Sequence, residues 1–293
     1  MAIEPALTLR HDNAVYCVAF SSDGSLLATG SLGESIRIWE LPSGREKLHL
    51  SGHRDAVCAL VFRQGDSTLL SASLDKTMRI WDPVSGKLRS TMTGHSQYLT
   101  CMAPSPVNAT AVSGSHDKNL ILWDISAGRQ LATLSGHTDF VSCAAFSPDG
   151  RFVASGGRDF LIRIWDVQSK QQVRQIGPHP NRIKSLDFSP DGTTIVASDD
   201  TSVIRLWNFV SGKVERTFEE HRRPVKTVAF SPDGRQLASG GTDATVLVRE
   251  TGSGKMLHAF QGHRNTIYSL AWSADAGRLA SGAFDRTACV WEL

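Results

Sequence analysis

A histidine recurs every 42 residues, at His11, His53, His95, His137, His179, His221 and His263. No insertion or deletion separates any pair. Six of the seven tryptophans keep the same spacing: Trp39, Trp81, Trp123, Trp165, Trp207 and Trp291. A fixed period of this length marks one supersecondary unit copied along the chain. Seven copies fill the 293 residues, so the repeat constrains the fold more tightly than composition does. Each unit leans on its neighbours and no composition break divides them, which predicts one domain over residues 1–293.

Residues 137–178 show what one copy contains. Val141 to Phe146 alternate in the manner of a strand, and Ser147-Pro148-Asp149-Gly150 follows as a turn, with Pro and Gly at the positions a type I turn favours. Phe152 to Ser155 read as a second strand. Gly156-Gly157-Arg158-Asp159 reads as a second tight turn, Leu161 to Trp165 as a third strand and Gln172 to Ile176 as a fourth. The break before the fourth strand is Ser85-Gly86-Lys87 or Ser211-Gly212-Lys213 elsewhere, where Gly is free to take positive φ. Each repeat is therefore four short antiparallel strands without a helix. One such sheet cannot bury both faces, so seven must stack radially and close a ring.

The dipeptides Gly52-His53, Gly94-His95, Gly136-His137 and Gly262-His263 recur with Trp81-Asp82, Trp123-Asp124 and Trp165-Asp166. Ser-Pro-Asp-Gly turns begin at Ser147, Ser189 and Ser231. In these residues the chain resembles the WD40-repeat family along its entire length. The resemblance implies an all-β fold, a seven-bladed β-propeller of four-stranded antiparallel blades. Ala6 to Leu9 match the fourth-strand position, while the chain stops after a third strand at Trp291-Glu292-Leu293. The N-terminal strand, within residues 4–10, is thus expected to close the last blade, removing an exposed sheet edge.

Each repeat also offers Ser, His and Asp, the residue types of a hydrolytic triad. Catalysis would not need several equivalent copies, and it would leave the tryptophan unexplained. A structural network accounts for all four: Asp accepts from one imidazole nitrogen, His from Ser, and Ser from the indole N–H. Four repeats carry the full set. These are His53, Ser71, Asp75 and Trp81; His95, Ser113, Asp117 and Trp123; His137, Ser155, Asp159 and Trp165; and His263, Ser281, Asp285 and Trp291. Repeat one has Thr29 but Gly33 in place of Asp. Repeat six keeps Ser239 and Asp243 but has Arg249 where Trp belongs. Repeat five places Ala197 and Thr201 at the matching positions, and a one-residue slip within Ile195–Thr201 would bring in Ser198. Repeats one, five and six are expected to contribute less stability. With both ring nitrogens engaged, the histidines are not expected to bind metal.

The resemblance implies a binding face around the central channel. Three repeat positions reach it: three after His, five after His, and the residue before the turn Asp. All three tyrosines of the chain, Tyr16, Tyr98 and Tyr268, fall in this set. So do Phe140, Arg158, Arg182, Lys184, Lys226 and Phe284. Exposed Tyr and Arg are enriched at recognition surfaces. The expected partner is a protein or peptide with an acidic part and an apolar anchor, bound without catalysis or cofactor by a monomeric chain.

Other classes are weaker. With 31 Lys+Arg against 29 Asp+Glu, the chain lacks the strongly basic balance of a dedicated nucleic-acid binder. No apolar run is long enough to span a membrane. The first five residues lack the features of a signal peptide, and the five cysteines form no CxxC pair. Both points suggest a reducing, cytoplasmic setting. Thr251-Gly252-Ser253-Gly254-Lys255 imitates the tail of a phosphate-binding loop but lacks its first Gly, its Ser/Thr and a following helix. An enzymatic reading would need a perturbed carboxylate in the channel, and Asp187 is the one candidate, since Ala stands at five equivalent positions. A propeller belonging to a larger signalling or sensor protein, or a scaffold without a dedicated ligand, is the alternative.

Overall fold

The computed structural model describes residues 3–63, 68–219 and 221–293; Met1 and Ala2, at the head of the expected domain, lie outside it. All regular structure among the described residues is β, arranged as seven sheets of four strands. Blade 4 is typical: Val141–Phe146, Phe152–Gly157, Ile162–Asp166 and Gln171–Ile176 pair antiparallel in sequence order. The phosphate-loop mimic is the hairpin turn between Thr245–Glu250 and Met256–Gln261, with Gly254 at φ +77°.

The second strand runs two residues further than expected, through Gly156 and Gly157. These glycines serve close approach rather than a turn. A Cβ on Gly156 would lie 2.8 Å from Ile183 of the next blade, and one on Gly157 would lie 2.0 Å from the Phe140 carbonyl oxygen. Strand glycines mark such approaches. The turn begins instead at Arg158, whose N–H bonds to the Phe140 carbonyl at 2.9 Å.

The blades cohere because each sheet buries its faces against its neighbours. Ile162, Ile164 and Ile176 of blade 4 pack on Ile183, Leu186, Ile195 and Trp207 of blade 5. Ile162 and Ile183 are fully buried, and cutting either to Ala would cost about 2–5 kcal/mol. The seventh such core joins the two ends of the chain: Leu9, Ala280, Ala288 and Val290 meet Val15, Val18, Leu27 and Trp39. Leu7–Arg10 is the fourth strand of the last blade, in register from Leu7 opposite Val290 to Arg10 opposite Thr287. Ahead of it, Ile3 bridges to Phe260 on the outer strand of blade 6. The result is a seven-bladed β-propeller.

Candidate interaction face

Four blades hold the same chain of hydrogen bonds. In blade 4 the Trp165 indole N–H donates to Ser155 Oγ at 2.8 Å. Ser155 Oγ lies 2.7 Å from His137 Nε2, and His137 Nδ1 lies 2.8 Å from Asp159 Oδ2. An indole can only donate, so Ser accepts from it and gives its own proton to Nε2, leaving Nδ1–H for the carboxylate. The distances repeat within 0.2 Å in blades 2, 3 and 7. Burial lowers the pKa of His95, which favours the neutral ring this pattern requires. In blade 7 burial also opposes charge on His263, but its Asp285 and Cys289 partners prevail and raise its pKa to about 9. There both ring nitrogens donate, and Ser281 accepts from His and Trp alike. Burial opposes charge on Asp117 and Asp159 too, but their histidine hydrogen bonds prevail and hold both below the usual carboxylate range. Every nitrogen, hydroxyl and carboxylate is thus spent on holding a turn to its blade.

The other blades degrade in distinct ways. Blade 6 keeps His221 against Ser239 (2.8 Å) and Asp243 (2.9 Å), while Arg249 stacks 4.2 Å above the Phe218 ring. In blade 1 Trp39 donates to Thr29 at 2.8 Å, but buried His11 Nε2 has no hydrogen-bond partner. Burial, with Arg37 nearby, pulls the His11 pKa down to about 4.

Blade 5 shows no register slip. Ala197 pairs with Arg205 as Ser155 pairs with Arg163. His179 Nε2, Trp207 Nε1 and Ser198 Oγ are all buried without a hydrogen-bond partner. Asp199 supplies the missing carboxylate from the strand end, 3.3 Å from His179 Nδ1 and 2.8 Å from Arg205 Nη1. Spacing hid this residue, because the other repeats carry Ser, Gly or Ala there and all but the first place the acid two residues later. Amide exchange should therefore open blades 1 and 5 before blades 2, 3 and 4, with blade 6 between them. Equal protection across the ring would remove any link between the network and local stability.

Two local devices build the face around the channel. The first is a β-bulge in every inner strand. In blade 4 Val141 pairs with Gly157 and Cys143 with Gly156, which leaves Ser142 outside the ladder. The same break falls at Tyr16, Cys58, Thr100, Lys184, Lys226 and Tyr268. A bulge re-aims a side chain, and these seven all line one funnel of about 450 Å³. The second device is a backbone hydrogen bond from the residue before each turn to the carbonyl three after each histidine. It recurs from Leu32 to Ala14 through Phe284 to Thr266, at 2.8–3.2 Å. Both sets are thereby held side by side at the rim.

Tyr16, Phe140, Arg158, Lys184, Lys226 and Tyr268 line the funnel directly, together with His116. Tyr98, Arg182 and Phe284 lie outside this lining, against His116, Asp200 and Tyr268 respectively. The Tyr16 and Tyr268 rings meet edge-on at 4.8 Å, and Tyr268 touches Phe284 at 6.3 Å. Across the mouth, His116 stacks on Phe140 at 4.0 Å, with Tyr98 edge-on to His116 at 5.7 Å and Arg158 4.9 Å from Phe140. Spacing placed His116 at the rim, but its role shows only in this stack.

The basic side is less free than its sequence suggests. Asp200 lies among its cations, with Oδ1 2.8 Å from Lys226 Nζ, and Oδ2 in contact with Arg182 Nε and 3.5 Å from Lys184 Nζ. Burial, then Lys226, Arg182 and Arg158, bring the Lys184 pKa down to about 8.

Asp187 sits at the seam of blades 5 and 6, where Oδ2 accepts from the Phe230 N–H at 3.0 Å. Burial raises its pKa to about 7, against the pull of the Phe230 and Phe188 amides. Its bonded partners are backbone, and among the described residues no His, Ser or Cys side chain completes a catalytic set with it.

A closed ring of four-stranded blades, pinned by His–Ser–Asp–Trp networks and opening on a channel-mouth face, defines a repeat propeller. The WD domain, G-beta repeat family matches residues 3–40, 44–82, 86–124, 128–166, 170–208, 212–249 and 254–292, and the chain belongs to that family. It is also similar to Protein tipD of Dictyostelium discoideum, 43% identical over 42 residues. That stretch covers 14% of this chain and 7% of the relative, the length of a single repeat. Propellers of this family generally serve as protein-interaction scaffolds and are typically non-catalytic. No helix among the described residues is long and apolar enough to cross a membrane.

Proposed function

We propose that the chain is a non-catalytic adaptor that receives a protein or peptide segment at the channel mouth. One observation carries this reading: aromatic side chains and cations converge on a single funnel, with one aromatic pair at Tyr16 and Tyr268 and a second at His116 and Phe140 beside the cations. Tyr16 and Tyr268 stand towards blades 7 and 1, while Arg158, Lys184 and Lys226 stand on blades 4 to 6. Tyr98 and Phe284 are each 44% exposed, so the apolar surface continues onto the rim. Such a face matches an extended segment with an aromatic or aliphatic anchor beside an acidic stretch. The funnel volume, about 450 Å³, lies within the range of ligand-binding clefts.

Affinity capture with mass spectrometry on the folded chain, run beside the Tyr268→Ala/Arg182→Ala double variant, tests this. Partners should be retained by the parent and weakened by about 30-fold or more in the variant, the effect of losing two anchors. Circular dichroism should show both folded. A captured partner that binds the double variant unchanged would place recognition elsewhere.

A further inference from the structure

We propose that Asp200 is an internal stand-in for the partner's carboxylate, which an acidic ligand must displace. This rests on the channel-mouth reading above and deepens it. The residue whose N–H bonds to the carbonyl three after each histidine holds one repeat position in every blade, where the others are Leu32, Leu74, His116, Arg158, Thr242 and Phe284. Asp200 is the sole acid among these seven positions.

Its contacts are those a bound carboxylate would make. One oxygen meets Lys226 from the neighbouring blade; the other meets Arg182 and, more loosely at 3.5 Å, Lys184. The Asp200 side chain is only 12% exposed, against 39% for Arg182. Three cations, Arg182, Lys184 and Lys226, meet this one anion, and Arg158 stands close enough to act on Lys184, so these five side chains carry a net charge of +3. The site is therefore attractive to anions yet already part-filled.

An arriving carboxylate can reach Arg158, which forms no ion pair among the described residues and rests on Phe140. It can also share Lys184. Full engagement of Arg182 and Lys226 requires Asp200 to yield, because two carboxylates sharing one site repel. Asp200 thus penalises a lone acidic side chain and favours a partner that presents several. It also shields half-buried lysines that would otherwise face one another bare.

The test uses two fluorescein-labelled probes, hexaglutamate and hexaglutamine, with binding read by anisotropy at pH 7. Asp200→Asn should bind hexaglutamate at least ten times more tightly than the parent, with a steeper salt dependence. Hexaglutamine should gain nothing. Asp200→Thr, the residue blade 6 carries at this position, should behave the same way and guards against a fold defect peculiar to one variant. Parent binding with no gain in either variant overturns the stand-in role while leaving the adaptor reading intact. Weaker binding in both makes Asp200 an organiser and overturns it too. No hexaglutamate binding by any form overturns it as well, and the adaptor reading is then judged by its Tyr268/Arg182 variant alone.

Discussion

Ala197→Ser should stabilise the protein by about 1–3 kcal/mol, the value of satisfying buried polar groups that now lack partners. The position is defined by register, since Ala197 stands opposite Arg205 where the intact blades carry Ser. A hydroxyl there would lie between His179 Nε2 and Trp207 Nε1, both buried without a hydrogen-bond partner. In blade 4 the same hydroxyl sits 2.7 Å from His137 and 2.8 Å from Trp165. One added atom would then satisfy two groups and leave the strand pairing untouched. Differential scanning calorimetry should show the melting temperature rising by roughly 3–8 °C. Ser155→Ala, which empties the corresponding position in blade 4, should lower it by a similar amount. A melting temperature that stays put or falls in Ala197→Ser would mean that blade 5 has repacked around its alanine.

The second large effect is pH-dependent. Asp187 has a pKa of about 7 in the folded chain, far above that of an exposed aspartate. The fold therefore prefers it protonated, and stability is present in full below about pH 4. It is then lost progressively until the folded carboxyl ionises near pH 7. Asp187→Asn keeps an acceptor for the Phe230 N–H and removes the charge. It should add about 2–4 kcal/mol at pH 8, because each pH step between the ordinary aspartate value and about 7 costs the folded parent about 1.4 kcal/mol, less whatever water in the channel relieves. At pH 4 the gain should vanish. Guanidinium titrations of parent and variant at the two values decide the matter, and an equal gain at both would assign the effect to packing rather than charge.

Much of this architecture was legible in the spacing of two residue types. The 42-residue period located seven blades, and the missing fourth strand after Trp291 pointed to closure by the N-terminal segment. The network was legible wherever all four side chains kept their spacing. Blade 5 was not, because spacing assumes that the carboxylate always comes from the turn, whereas Asp199 reaches His179 from the strand. Gly156 and Gly157 looked like turn residues because what they accommodate belongs to other segments, namely Ile183 and the Phe140 carbonyl. The funnel side chains were found as positions. Their sorting into stacked rings and paired charges was not, since Lys226 reaches Asp200 from another blade. Contacts of that kind depend on how the ring closes, which no single repeat encodes.

That closure also dictates an order of events. Thr8 and Cys289, side by side in the last blade, are 281 positions apart in the chain. Bringing such distant segments together costs about 1.7 kcal/mol more chain entropy than closing one 42-residue repeat. Hairpins within a blade and stacking between successive blades are local and repay their cost early, so the join must come late. It should also be the first to part when the molecule is pulled by its ends, since the load there falls on four residue pairs, the Ile3–Phe260 bridge ahead of them and the His11 N–H bond to Arg286. The propeller is in this sense a strip with one clasp, and its lifetime under force is the lifetime of that clasp.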